Sequence, residues 1–444
     1  MCRPKVIGEN DKVRTVNGIR PYIFFDNAAS TPALVAVFEK LKEFIPYYSN
    51  VERGIGYKSF VSTEMFEKAR EKVHSFLGAT EEHEVIFVKN TTEGINKLAR
   101  KLKEFIGDGK VLTTEMEHHS NLLPWKKHYD TEVIPVNKEG RVDLNLIEEA
   151  LRKANGKIKL VAITGASNVT GFVNPIYEIS EIAHKYGALF SVDGAQLVPH
   201  KKVDMSRGID FLSFSAHKFY APFGSGALVG KKDILGKGEP ESVGGGTVKF
   251  VSLEEVIWAD LPEKEEAGTP VITGAIALMA AIEEFEKWGM DKLEDMESRL
   301  HRKLYETLSS LDGIEILGGK REKEDFPVIS FVPRKVSPYI LSSVLSFEYG
   351  IGVRTGCFCA QPYVKKLLKV TAEESDQIKK SMMSGLLPGK GAIRASLSFY
   401  NTEDEIETLK QGIEDALSRD KFSYTYDSHL KAFVPENFKF TLPF

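Results

Sequence analysis

A lysine with polar neighbours directly follows a strongly apolar stretch of the chain. Lys218 lies in the segment FLSFSAHKFYAPFGSGAL, just after the apolar run from Phe211 to Phe214. An amine becomes nucleophilic, and can form a Schiff base, when it is partly desolvated. Ser215 and His217 supply hydrogen-bond donors of the kind that a phosphate group requires. Lys218 is therefore a candidate covalent anchor for a ligand, and the alternative is an ordinary surface lysine.

An aspartate closes the preceding apolar run, in the segment ALFSVDGAQ. Burying the Asp193 carboxylate is costly unless it meets a cation or a hydrogen-bond donor. A protonated pyridine nitrogen is such a partner, and enzymes that use pyridoxal phosphate pair this nitrogen with a carboxylate. Gln196 follows one helical turn later. Asp193 therefore indicates a site for a pyridinium ring, although it could instead cap the next element.

Two further apolar segments also end in polar residues. VIFVKNTTEGIN places Thr91 and Thr92 at the start of a helix, where hydroxyl and backbone N–H groups can hold a phosphate. IKLVAITGASNVTG places Asn168 in the loop after its strand. Ordinary helix N-capping is the alternative for the threonines. All these polar clusters follow the carboxyl ends of predicted parallel strands, where open α/β sheets bind ligands. Their convergence predicts a site for a phosphorylated cofactor.

The segment EMEHHSN contributes His118, His119 and Asn121. A flat imidazole could stack on the ring of an aromatic cofactor, and a purely structural histidine is the alternative. No group of Cys, His and carboxylate residues in the sequence has a recognisable metal-ligand spacing. The sequence therefore predicts no metal site.

Two of the three cysteines lie close together in RTGCFCAQP. An exposed thiol beside a cation such as Arg354 has more thiolate character, and the thiolate is the reactive form. Cys357 and Cys359 are thus either a reactive pair or a buried, inert one. Arg394 precedes ASLSFYN, where it could bind a carboxylate through two hydrogen bonds or form a structural salt bridge.

Short apolar strands that alternate with amphipathic helices predict an α/β fold, with a mostly parallel sheet covered on both faces. We expect a large domain over residues 21–264 and a smaller α+β domain made of residues 1–20 and 265–420. The glycine-rich and acidic stretch 244–270 is predicted to be a linker. Residues 365–390 are interpreted as an insertion, and the aromatic tail 421–444 is expected to dock on the protein.

The composition excludes several classes of protein. Hydrophobic residues make up 42% of the 444 residues and charged residues 27%, which is typical of a globular protein. With 59 basic and 63 acidic residues, the near-balanced charge gives no reason to expect a nucleic-acid partner. No apolar run approaches the ~18 residues of a membrane-spanning helix, so no membrane partner is expected. Few cysteines and no secretory signal predict a cytoplasmic location.

The chemistry-bearing segments occur in a recognisable order between Tyr22 and Leu417. They are FFDNAAST, TTEGIN, EHHSNLLPW, SNVTG, VDGAQ, SAHK, GTP, RTGCFCAQP and RASLSFYNT. Together they resemble the class V aminotransferase family of fold-type I pyridoxal phosphate enzymes. Within that family they are most similar to the cysteine desulfurases and the related selenocysteine lyases. The resemblance implies a fold-type I transferase that binds pyridoxal 5'-phosphate and acts on L-cysteine or selenocysteine.

The resemblance also implies roles for individual residues. Lys218 would bind the cofactor covalently, Asp193 would pair with the ring nitrogen, and His118 would stack on the ring and take part in catalysis. The further cofactor contacts that it implies are Thr91, Thr92, Asn168, Gln196, Ser215, His217 and Thr273. The substrate contacts that it implies are Arg53, Asn168, Arg354 and Arg394, with Arg394 taking the carboxylate.

Cys359 matches the family cysteine that takes the substrate sulfur and becomes a persulfide. Members of the family are homodimers, and Arg53 and Thr273 lie near loops that reach the partner subunit's cofactor. The sequence leaves three alternatives: a selenocysteine lyase, another aminotransferase or lyase in which Cys359 is incidental, and a catalytically silent binding protein. It does not identify a sulfur-acceptor protein.

Overall fold

The computed structural model describes residues 3–51, 54–385, 387–436, 438–439 and 441–442. The chain forms two compact units. The larger unit contains the residues up to Ile7, then Ser30–Ser167 and Val173–Leu293, and the smaller unit contains Gly8–Ala29, Asn168–Phe172 and the residues from Glu294 onward.

These boundaries differ from the predicted ones at 20/21 and 264/265. The helix Ile272–Trp288 belongs to the larger unit, because it packs against the helices Val35–Phe44 and Tyr57–Phe76. Its residues from Ala275 to Ile282 are all buried, so an almost continuous apolar surface joins it to that unit. The short segment Asn168–Phe172 belongs to the smaller unit. The apolar pattern of the sequence could not reveal this assignment.

The larger unit is built on a seven-stranded sheet. In chain order its strands are β1 (His83–Val88), β2 (Lys110–Thr114), β3 (Thr131–Ile134), β4 (Ile158–Thr164), β5 (Leu189–Asp193), β6 (Phe211–Ser215) and β7 (Gly226–Lys231). Their order across the sheet is β1-β7-β6-β5-β4-β2-β3. The pairs from β6 to β3 are parallel, and β7 runs antiparallel to both of its neighbours. The predicted α/β fold with a mostly parallel sheet is therefore confirmed.

Along the chain, helices alternate with the strands of this sheet, as the sequence pattern predicts. The α-helices of the larger unit are Val35–Phe44, Tyr57–Phe76, Thr91–Lys101, Lys103–Ile106, His119–His128, Leu144–Ala154, Ile176–Lys185, Lys232–Leu235 and Ile272–Trp288. Helical 3-10 turns cover Ile45–Tyr47, Met205–Arg207, Ala216–Lys218 and Glu263–Glu265, and Val248–Val251 pairs with Val256–Trp258 in a hairpin. Central strands such as β6 are buried along their whole length, in keeping with their mostly apolar sequences.

The smaller unit has a four-stranded antiparallel sheet. Its strands are β8 (Ile314–Ile316), β9 (Val328–Pro333), β10 (Arg354–Gly356) and β11 (Ala392–Ser396), in the order β8-β9-β11-β10. Its helices are Pro338–Tyr349, Gln361–Leu367, Ala372–Met383 and Glu403–Leu417, together with most of Met290–Ser309. Shorter pairings join Lys12–Thr15 to Gly18–Pro21 and Ile23–Phe24 to Ile351–Gly352.

The region interpreted as an insertion and the C-terminal tail both have regular structure in the smaller unit. Helix Ala372–Met383, within residues 365–390, starts with a capping box between Thr371 and Glu374. In the tail, Tyr424–Asp427 pairs with Ala432–Pro435, and the Phe438 ring lies 4.5 Å from the Phe347 ring. Of the predicted tail, residues 437, 440, 443 and 444 lie outside the described residues.

The acidic stretch predicted to be a linker is instead part of the larger unit. The buried carboxylate of Glu265 forms ion pairs with Lys97 at 3.1 Å and with Lys101 at 3.0 Å. The buried carboxylate of Glu266 binds the Arg70 guanidinium through two hydrogen bonds of 2.8 and 3.0 Å. The linker prediction is wrong because the charges that looked solvated are neutralised inside the unit by cations from distant helices.

Candidate active site

Two neighbouring parallel strands of the larger unit carry the predicted lysine and aspartate to the same edge of the sheet. Strand β5 ends at Asp193, and β6 ends at Ser215, which is followed by the 3-10 turn Ala216–Lys218. The strands are in register, with Asp193 paired to Ser213. The positive charge of Lys218 is close enough to act on the pKa of Asp193.

The Asp193 carboxylate is buried, with 3% of the residue exposed. It accepts a hydrogen bond from the backbone N–H of Ala195 at 3.0 Å. Burial raises the pKa of Asp193, and the Ala195 N–H and the charge of Lys218 act in the opposite direction. A cationic ring nitrogen bound here would favour the charged carboxylate.

The start of helix Thr91–Lys101 is joined to the end of β6. The Asn90 side chain caps the helix by accepting a hydrogen bond from the Glu93 N–H at 3.0 Å. The Thr91 N–H donates to Ser215 Oγ at 2.8 Å, and the two hydroxyls lie 2.7 Å apart. A Cβ on Gly226 would lie only 3.1 Å from the Asn90 Cα, so the glycine permits this close approach. Hydroxyl groups at a helix N-terminus are a suitable site for a phosphate.

His217 and Gln196 lie beside these residues in the sequence and are largely withdrawn from solvent. Burial, together with the charge of Lys218, lowers the pKa of His217 to about 4. The imidazole is therefore neutral at pH 7 and can donate one N–H. Gln196 is buried, three residues after Asp193.

His118 is linked to the helix that starts at Thr91 through a serine. His118 is the N-cap of helix His119–His128, and its Nδ1 accepts a hydrogen bond from the Ser120 N–H at 3.1 Å. The Ser120 hydroxyl lies 3.0 Å from His118 Nδ1 and 2.7 Å from Thr92 Oγ1. This chain of contacts fixes the imidazole that the sequence predicts to stack on a ring.

The sequence analysis missed Glu117, which is completely buried beside His118. Its carboxylate accepts hydrogen bonds from Thr114 Oγ1 at 2.7 Å, Asn121 Nδ2 at 2.6 Å and the Thr164 N–H at 2.8 Å. Burial raises the pKa of Glu117 to about 8, although these hydrogen bonds oppose the shift. The spacing of four residues between Glu117 and Asn121, across a helix start, was the available signal.

In the smaller unit, Arg394 lies inside strand β11 rather than before it. Its guanidinium donates to Asp26 Oδ1 at 2.8 Å and to the Asn168 carbonyl at 3.0 Å. Burial lowers the pKa of Arg394, and the Asp26 carboxylate opposes this shift. The Arg394 Nε is buried and has no partner among the described residues. Arg354, which is half exposed, binds the other oxygen of Asp26 at 3.0 Å. A buried guanidinium with an unused N–H can donate a further hydrogen bond to an anionic ligand.

Cys359 lies on an exposed turn that is joined to this arginine. The turn is closed by a 2.9 Å hydrogen bond from the Ala360 N–H to the Cys357 carbonyl, and both Phe358 and Cys359 have left-handed φ angles, of 53° and 55°. Asn168 Nδ2 donates to the Phe358 carbonyl at 2.8 Å. The Arg394 guanidinium lies 5.1 Å from the centre of the Phe358 ring. The exposed thiol is therefore part of the same network as the arginine.

Two predicted residues fall outside these groups. Arg53 is not among the described residues. Thr273 is the second residue of helix Ile272–Trp288 and is half-buried. In the part of the chain that the structure describes, no three His, Cys, Asp or Glu side chains are grouped as metal ligands. No helix among the described residues is long and apolar enough to cross a membrane.

Comparisons with known proteins show which family this chain matches. The family model for class-V aminotransferases matches residues 23–409. A probable cysteine desulfurase of Halalkalibacterium halodurans is 38% identical over 408 residues, which cover 90% of this chain and 94% of that protein. One from Staphylococcus aureus is 37% identical over 421 residues, covering 93% of this chain and 95% of that protein.

The fold agrees as well. The solved structure of a cysteine desulfurase from Thermococcus onnurineus superposes with a TM-score of 0.79 at 33% identity, covering 89% of this chain and 94% of that one. The family model alone covers most of this chain, and the relatives match it over nearly their whole length. The chain belongs to the class-V aminotransferase family.

Proposed function

We propose that this protein is a pyridoxal phosphate-dependent cysteine desulfurase, which converts L-cysteine to L-alanine and transfers the sulfur to Cys359. The observation that carries the proposal is the network of the smaller unit. It joins a buried arginine with an unused N–H to an exposed thiol through Asn168 and Phe358. An arginine suits the carboxylate of an amino acid, and a thiol is required only if sulfur is transferred. The cysteine desulfurases among the relatives support the same activity.

The residues of the larger unit fit the cofactor. A phosphate suits the hydroxyls of Thr91 and Ser215 at the helix N-terminus, and the neutral imidazole of His217 adds a donor. Asp193 is a buried carboxylate that would gain a cationic partner in the ring nitrogen. Thr92, Asn168, Gln196 and Thr273 are the other proposed contacts. When bound, pyridoxal phosphate supplies an electron sink for a substrate amino acid.

The side chains of this protein have separate tasks in the proposed reaction. Lys218 would hold the cofactor covalently, and its Nζ would carry a proton to or from the substrate. Asp193 keeps the ring nitrogen protonated, and His118 covers the ring. Arg394 binds the substrate carboxylate, and Arg354 extends the positive charge around it.

Cys359 takes the sulfur from the substrate. The carbon–sulfur bond of L-cysteine breaks, and a sulfur–sulfur bond forms on the Cys359 Sγ, so that L-cysteine and a thiol become L-alanine and a persulfide. The exposure of Cys359 supports a further transfer to a sulfur-acceptor protein. A homodimer, a contribution of Arg53 and Thr273 across its interface, and a cytoplasmic location belong to the same proposal.

The test is to incubate the cofactor-loaded protein with L-cysteine and a reductant, and to measure alanine and sulfide. We expect equal amounts of both without any added keto acid. A requirement for a keto acid would instead assign the protein as an aminotransferase. Selenocysteine, measured in parallel, decides between the desulfurase and the selenocysteine lyase. Absence of turnover and of cofactor absorbance would favour a silent binding protein.

A further inference from the structure

Cys357 lies two residues before Cys359, and several polar and charged groups act on its thiol. The backbone N–H groups of Cys359 and Cys357 and the positive charge of Lys365 act to lower the pKa of this thiol. Burial, which is the largest effect, and the nearby Cys359 oppose them, and the pKa of Cys357 is raised overall. The side chain is half-buried, whereas Cys359 is exposed.

A buried hydroxyl group lies close to the end of the strand that precedes Cys357. Tyr339 Oη is buried and has no hydrogen-bond partner among the described residues. It reaches the strand next to Cys357 because residue 391 is a glycine: a Cβ there would lie 3.0 Å from Tyr339 Oη and 3.3 Å from the Gly356 Cα. Burial, with smaller contributions from Cys357 and Tyr426, raises the pKa of Tyr339 to about 12, so the hydroxyl keeps its proton and remains a donor. A buried donor without a partner is costly, which indicates a role for it here.

The two cysteines belong to one tight turn and are separated by a single residue, Phe358. Phe358 and Cys359 both have left-handed backbone conformations, which are unfavourable for residues other than glycine. The backbone N–H of Cys359 acts on the pKa of the Cys357 thiol, and it belongs to the residue that carries the Cys359 Sγ. A persulfide adds one more sulfur to Cys359, and the flexible side chain can direct this atom toward Cys357.

We propose that Cys357 is a second persulfide site, which receives the outer sulfur from Cys359. This rests on the proposed function, in which Cys359 is loaded by the substrate. The Cys357 sulfur attacks the outer sulfur of the Cys359 persulfide, one sulfur–sulfur bond forms and one breaks, and the proton of Cys357 passes to the Cys359 thiolate. No oxidant or reductant is consumed. The transferred sulfur is held in a half-buried position by the N–H donors and Tyr339, and Cys359 is free to react again.

The experiment is a single loading of the cofactor-bound protein with a small molar excess of L-cysteine and no reductant. Alanine is counted per subunit, and the sulfur on each thiol is located by alkylation, chymotrypsin digestion and mass spectrometry. Cleavage after Phe358 separates the two cysteines into different peptides. We expect up to two alanines per subunit and sulfur on both peptides in the wild type, and one alanine with sulfur on the Cys359 peptide in Cys357→Ser.

A second variant tests the environment of Cys357 without removing a thiol. Tyr339→Phe should lower the share of sulfur on the Cys357 peptide about fivefold, the effect expected for one lost hydrogen bond. The matched control is Tyr186→Phe, because the Tyr186 hydroxyl donates to Glu148 in the larger unit. This variant should not change the share of sulfur on the Cys357 peptide.

The outcomes separate this proposal from the proposed function. Sulfur found on the Cys359 peptide alone in the wild type would overturn the second site and leave the desulfurase intact. Sulfur on Cys357 in a Cys359→Ser variant would overturn both the direction of transfer and the role of Cys359. Protein without sulfur on either thiol would contradict both proposals.

Discussion

Burial, and to a lesser extent the negative charge of Asp193, raises the pKa of Glu117, although the two carboxylates come from different segments of the larger unit. Thr164 connects them: its N–H donates to Glu117 at 2.8 Å, and it is the residue paired with Asp193 between β4 and β5. With a pKa of about 8, Glu117 is mostly neutral at pH 7. The site therefore avoids a second buried negative charge beside Asp193, which is left as the carboxylate for the ring nitrogen.

The stability of the protein should depend on pH through Glu117. Its pKa is about 8 in the folded state against an ordinary value of 4.5, so the folded state binds more protons between these pH values. The free energy of unfolding should then fall as the pH rises through this range, by up to ~1.4 kcal/mol per pH unit, and level off above it. Glu117→Gln removes this contribution.

The measurement is the melting temperature of wild type and Glu117→Gln at several pH values between 5 and 8. We expect a weaker dependence in the variant, and Glu139→Gln, at an exposed position, should behave as the wild type. Parallel profiles for all three proteins would mean that Glu117 is ionised throughout.

Lys218→Ala should abolish turnover and the visible absorbance of the covalently held cofactor. The reason is the position of the amine after β6, at the edge that also carries Asp193. Circular dichroism should show an unchanged fold, and Lys202→Ala, at an exposed position, should keep the absorbance. If the Lys218→Ala variant retains both the absorbance and the turnover, Lys218 is not the residue that holds the cofactor.

Asp193→Asn should retain the cofactor but lose activity by ~10²-fold or more, because a neutral amide cannot keep the ring nitrogen protonated. Cofactor content is measured after gel filtration, alongside alanine formation. Near wild-type turnover would mean that Asp193 has only a structural role, as the hydrogen-bond acceptor of the Ala195 N–H.

Arg394→Lys should raise the KM for L-cysteine by ~10–100-fold, since a lysine cannot replace the two-pronged guanidinium. The effect on kcat should be smaller, because the carboxylate is bound in both ground and transition states. Arg419→Lys, which alters an ion pair with Glu348 elsewhere in the smaller unit, is the control. An equal KM in both variants would mean that Arg394 does not bind the substrate carboxylate and has only a structural role in its ion pair with Asp26.

Much of the larger unit follows from the sequence because its strands are short, apolar and buried on both faces. The pattern predicts that Asp193 closes one strand and that Ser215 follows the next one along the chain; the structure has Asp193 at the end of β5 and Ser215 as the last residue of β6. Parallel strands share one edge for their carboxyl ends, so polar residues there converge without any long-range information.

Features that depend on distant partners were not predictable in this way. Glu265 and Glu266 are charged and look solvated in the sequence, yet Lys97, Lys101 and Arg70 neutralise them inside the unit. Glu117 likewise has hydrogen-bond partners from a strand end, a helix and another strand, which no local pattern brings together.

The central claim is that Cys359 takes the substrate sulfur. Its most direct test is the alanine formed by wild type and Cys359→Ser, both loaded with cofactor, after brief exposure to L-cysteine without reductant. A hydroxyl is a poor nucleophile toward sulfur at neutral pH, so the account predicts a burst of at least one alanine per subunit in the wild type and none in the variant. Equal bursts of alanine from the two proteins would contradict it.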